Sequence, residues 1–171
     1  MRILILGILS VSAAVAQAPG PIHSAVDPQY ETAQRNFVEA AEAMPEADYG
    51  YRLTPAQRPW NEWINHTAGM NLRMCAQMKG DTPPAQSNGS DVSKAALVKA
   101  IKESFVYCQG VIGGISEEGA LKEVMAGTRK TTPLALMVAQ LAQLNSHYGN
   151  MVGYLRTKGI TPPSTARSAK K

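Results

Sequence analysis

The sequence predicts an all-α protein built as a four-helix bundle. Three observations carry that prediction. In four separate segments apolar residues recur at steps of three and four, no run alternates with period two, and Ser, Thr or Asp caps with neighbouring prolines and glycines mark where helices begin and end. Four long amphipathic helices with no strands bury their stripes best against one another. With 171 residues, 44% hydrophobic and 18% charged, the chain suits one domain with a modest core, not a disordered chain or several domains.

Before the first helix, residues 1–18 read MRILILGILSVSAAVAQA: a positive Arg2, an apolar run from Ile3 to Val15, then small residues. That order is the pattern of a secretory signal peptide over residues 1–16, with Ala14-Val15-Ala16 as the small-x-small site and Gln17 as the new N-terminus. The run is shorter than the roughly 20 residues that cross a bilayer. The expectation is a periplasmic or secreted protein with no membrane segment after cleavage. Pro19 to Val26 reads as a mobile lead-in, and His23 within it as a solvated loop residue.

Asp27-Pro28 gives an N-cap and a proline at the first helical position, and Tyr30, Ala33, Phe37, Ala40, Ala41 and Met44 follow at helical spacing. Met44 to Pro59 carries three prolines and a glycine and predicts a long connection, with a single turn starting at Thr54-Pro55. The second helix runs from Trp60 to Met78 and stops at Lys79-Gly80. One of its faces carries Trp60, Ile64, Ala68, Leu72 and Cys75, and an adjoining one carries Trp63, His66, Met70 and Arg73. After a polar loop, Ser93 caps a third helix with Leu97, Ile101, Phe105, Cys108, Ile112 and Ile115 on one face. Ser116 opens a short helix through Met125. Thr132-Pro133 then opens the longest helix, whose Leu134, Met137, Leu141, Leu144, Tyr148, Met151 and Leu155 form a core-facing stripe ending near Lys158-Gly159. The bundle domain is thus expected over residues 27–163, with 164–171 as a disordered basic tail.

Cys75 and Cys108 are the only two cysteines. In an exported protein they can pair, and the bridge would be worth roughly 3 to 4 kcal/mol by chain entropy. Two buried thiols acting as small hydrophobes remain the other reading.

The formal charge is +4, but without Arg2 in the leader and Arg167, Lys170 and Lys171 in the tail, basic and acidic residues balance at 13 each. A near-neutral body gives no footprint for nucleic acid. No glycine-rich phosphate loop, nucleophile-elbow serine or paired-cysteine zinc motif occurs. What remains is imidazole. On the last helix Gln143 and His147 stand four apart on one face, and His66 is central on helix two, so neighbouring helices would bring the histidines together. Two histidines and one amide make a poor transition-metal set, and hydrogen-bonded helix histidines are the plainer alternative.

The segments NSHYGNMVGYLRTKGITPP (145–163), NEWINHTAG around His66 and FVYCQG around Cys108 together resemble the DinB-like superfamily of four-helix proteins. The resemblance implies a helix-two histidine and a His-x-x-x-His pair on the last helix holding a divalent metal, zinc or nickel, with relatives that include thiol-dependent transferases. His66 and His147 match two of those positions. Gln143 stands where the third histidine would be, and a neutral amide oxygen is a weaker donor to zinc or nickel than imidazole. Export also separates the chain from the reducing small-thiol pool of the cell interior.

The sequence therefore predicts an exported DinB-like bundle of undetermined activity with a degenerate divalent-metal pocket at His66, Gln143 and His147, binding metal weakly if at all. The alternative is a metal-dependent thiol transferase or hydrolase using that pocket. A homodimer and an unidentified small molecule are the expected partners.

Overall fold

The computed structural model describes residues 20–169, so the expected signal peptide at 1–16 lies outside the described residues, as do Lys170 and Lys171. Four long helices, α1 (Pro21–Ala43), α2 (Trp60–Lys79), α3 (Lys94–Gly113) and α4 (Pro133–Thr157), form the bundle, followed by a short α5 (Pro163–Ser168). Between α3 and α4 lies a small antiparallel hairpin of β1 (Val124–Ala126) and β2 (Arg129–Thr131). α2 packs against α3 and α4, and α1 packs against the same two, so α1 and α2 occupy diagonal corners. That placement explains the long connection over 44–59, which must cross the end of the bundle. It carries a single 3₁₀ turn at Glu46–Asp48, and the turn expected at Thr54 is present with Gln57 N–H donating to the Thr54 carbonyl at 3.1 Å.

The predicted faces of α1, α2 and α3 point inward. Phe37, Trp60, Ile64, Ile101 and Phe105 are fully buried, each apolar side chain contributing about 1.5–3 kcal/mol of transfer energy. Phe105 stands edge-on to Tyr30, and Phe37 edge-on to Tyr148, which ties α1 to α3 and α4. The predicted caps are in place: the Ser93 and Thr132 hydroxyls accept from the Ala96 and Ala135 amides, and Gly80 closes α2 at φ 73°. On α4 the stripe is rotated from the expected one. Leu136 and Gln140 are buried, while Leu134 and Leu141 are half-buried.

Three expectations are corrected. The segment before Asp27 is helical, because Gly20-Pro21 already supplies a proline at the helix start and the Glu117 carboxylate accepts from the Ile22 and His23 amides at 3.0 and 3.1 Å. Pro28 therefore sits inside α1, and His23, far from solvated, is clamped between the Ile115 carbonyl (2.7 Å) and Asp27 (3.3 Å). The helix expected after Ser116 is one 3₁₀ turn at Gly119–Leu121 followed by the hairpin, whose two-residue turn needs Gly127 at φ 64°. The tail expected to be disordered from Ser164 folds as α5. Ser164 donates from its amide to the Tyr148 hydroxyl at 3.1 Å, and Arg167 pairs with Glu39 and Asn36 on α1.

At Gly153 the 44–59 connection comes close to α4, with Leu53 lying 3.1 Å from where a Cβ would stand. Gly149 faces open space. Cys75 and Cys108 are bridged, with their Cα atoms 5.4 Å apart, so the disulfide reading holds. No helix among the described residues is long and apolar enough to cross a membrane.

Candidate functional site

α2 and α4 run side by side, and their facing polar residues meet at two levels. At one level the His66 and His147 rings approach to 5.1 Å between centroids. His147 is nine-tenths buried, at 8% exposed, and its Nδ1 has no hydrogen-bond partner. His66 is half-buried and opens the cluster to the surface. The Trp63 ring lies 5.3 Å from His147, and the Arg58 guanidinium sits over that indole at 5.4 Å from its centroid.

A relay of hydrogen bonds fixes these groups. Trp63 Nε1 donates to the Tyr154 hydroxyl at 3.1 Å, which donates to the Arg58 carbonyl at 2.6 Å. Trp60 lies fully in the core beside Tyr154.

The charges that shift the pair's titration are all positive. Burial first, then Arg58 and Arg73, hold His66 below the ordinary imidazole pKa; burial, His66 and Arg58 do the same for His147. Arg73, exposed two turns beyond His66, folds back along α2. One of its guanidinium nitrogens is 3.3 Å from where a Gly69 Cβ would stand, and the Gln86 amide fills the same place at 2.6 Å. Gly69 is what lets the 80–93 loop and Arg73 lie so close to the helix. That loop is pinned by Gln86 Nε2 donating to the Asn65 carbonyl at 3.0 Å and by Asn88 Nδ2 donating to Asn65 Oδ1 at 3.1 Å.

The structure thus brings two of the three predicted site residues together. Gln143, one turn before His147 on α4, is exposed. Among the described residues no group of three or more His, Cys, Asp or Glu side chains is placed to hold a metal. The donor set does not fit a resident zinc or nickel ion: two imidazoles fall short of the three protein donors such sites use, and the flanking guanidiniums repel a dication.

Two turns along the same interface lies a second polar level that the sequence reading missed. Gln140 Nε2 donates to Asn71 Oδ1 at 2.9 Å and contacts both disulfide sulfurs at 3.4 Å, while Asn71 Nδ2 donates to Ser104 Oγ at 3.2 Å. All three side chains are buried. The available signal was a polar residue standing one position from an expected core residue, Gln140 beside Leu141.

Comparison with known proteins gives a consistent picture. A family model described as DinB superfamily matches residues 29–151. The fold is similar to that of a DinB-like protein from Bacillus subtilis, at TM-score 0.64 and 23% identity, covering 80% of this chain and 92% of that one. It is also similar to a DinB-like protein from Bacillus cereus, at TM-score 0.69 and 9% identity, covering 81% and 93%. No curated protein matches the chain.

Proposed function

The chain belongs to the DinB superfamily, and from that premise we propose that it is an exported, non-catalytic binding protein whose metal pocket has degenerated. The observation that carries this reading is the His66–His147 pair, drawn to 5.1 Å with, among the described residues, no third His, Cys, Asp or Glu placed to complete a metal site. Metal held there has two imidazoles and at most the exposed Gln143 amide, so uptake is weak. The leader pattern at 1–16 and the Cys75–Cys108 bridge support a periplasmic or secreted location, since structural disulfides persist in oxidising compartments. A homodimer through helix faces belongs to the same reading, and light scattering of the mature chain tests it.

The rival reading, a metal-dependent thiol transferase or hydrolase, is favoured by one observation: the buried His147 Nδ1 has no partner within the protein and is available to a ligand. Metal analysis separates the two. Zinc and nickel are titrated into the mature protein and into His147→Ala and Gln143→His. The binding-protein reading expects weak uptake in the wild type, none in His147→Ala and clear strengthening in Gln143→His. Stoichiometric metal retained by the wild type through purification overturns it in favour of the enzyme.

A further inference from the structure

We propose that the His66–His147 cluster is a binding site for a small oxyanion, a carboxylate or phosphate group, which takes the place that a metal would otherwise fill. The inference rests on the binding-protein reading and names the chemistry of its ligand. Arg58 is held over Trp63, Trp63 is held against His147, and His147 faces His66, so a guanidinium, an indole and two imidazoles form a continuous chain with gaps of 5.1 to 5.4 Å. On α2, Arg73 folds back over Gly69, one turn from His66.

Both arginines are exposed, and among the described residues neither is paired with a carboxylate. Two guanidiniums without carboxylate partners, one stacked on the indole that abuts His147 and one on the same helix as His66, flank two imidazoles, one of which has a buried nitrogen without a partner, and this set repels a cation and attracts an anion. An imidazole offers an N–H to such a group in its neutral form, and guanidinium supplies the planar fork that matches carboxylate and phosphate oxygens. The Trp63 indole adds an apolar wall against which the carbon skeleton of an organic acid can lie.

The test uses the metal-free mature protein at low ionic strength. Inorganic phosphate and succinate are titrated separately, followed by calorimetry and by the NMR signals of the two imidazoles and the Trp63 indole. The expected result is saturable binding of at least one probe with shifts concentrated at His66, His147 and Trp63. Arg58→Gln and Arg73→Gln should each weaken it by about tenfold or more, while Lys102→Gln, on the far side of the bundle, leaves it unchanged. Both arginines are surface residues, so the variants keep the fold, which circular dichroism checks. The two probes decide between the sources: succinate alone points to an organic acid, and phosphate alone to a phosphate-bearing ligand. No saturable binding of either up to about 20 mM, or equal binding in the Arg58→Gln/Arg73→Gln double variant, overturns the inference. If zinc also fails to bind, the non-catalytic reading stands while the oxyanion falls; if zinc binds tightly and the probes do not, both fall.

Discussion

Along one interface, α2 and α4 bury polar side chains twice, and the two levels are treated in opposite ways. At the Asn71–Gln140 level the side chains are bonded to one another, to Ser104 and against a covalent bridge. At the His66–His147 level, two turns away on α4, a buried nitrogen is left without a partner and the charges that shift His147 are of one sign. A satisfied buried network fixes helix register and needs nothing from outside. An unsatisfied one costs stability, and that cost is recovered only when something binds. The contrast separates the scaffold from the site without reference to any relative.

The largest expected effect lies at the satisfied level. Cys75→Ala with Cys108→Ala should lower unfolding free energy in urea by about 3–4 kcal/mol, the chain-entropy value for a loop of this size. Gln140→Ala should cost about 2 kcal/mol, because it strands the buried Asn71 amide oxygen. His147→Leu, by contrast, removes no hydrogen bond and should leave stability at neutral pH within about 1 kcal/mol of the wild type. A loss as large as that of Gln140→Ala would erase the distinction between the two levels.

Acid sharpens the same comparison. Both site imidazoles have folded pKa values below the unfolded value of about 6.5, so between the two the unfolded chain binds more protons and stability falls as pH drops through that window. His147→Leu should flatten that acid slope in a series of melting curves.

His23 supplies the smallest effect and the opposite sign. Its bond to the Ile115 carbonyl, outweighing burial and joined by Asp27 and Glu117, raises its pKa. Its contribution is therefore fully present below about 6.5 and fades as pH rises through the raised folded value. His23→Gln should lower the melting temperature by a few degrees at pH 5.5 and by less at pH 8, so the difference between wild type and variant shrinks on alkalinisation.

What the sequence made legible was whatever is written locally. The stripes of α2 and α3, the Ser93 and Thr132 caps and the Gly80 stop are all encoded within a few residues, and so is the family segment around His147. The start of α1 was not, because its first amides are satisfied by Glu117, which lies 94 and 95 residues away, and Asp27-Pro28 imitates a cap that the fold does not use. α5 was hidden for the same reason: its anchors are Tyr148, Asn36 and Glu39, remote in sequence. The hairpin has strands of three residues, too short for alternation to register. At the site, His66 and His147 were found through helix spacing. Helix spacing put Arg73 on the His66 face without giving it a role, and Arg58 escaped because the groups that hold it, Trp63 and Tyr154, act across a turn and from α4.

The Cys75–Cys108 bridge joins two helices that are neighbours both in sequence and in space. An oxidised chain leaving denaturant therefore begins its search with the α2–α3 hairpin already tethered, and only the docking of α1 and α4 onto that pair is left to diffusion. Reduction should consequently show itself mainly as slower refolding, with a much smaller change in the rate at which the native bundle comes apart.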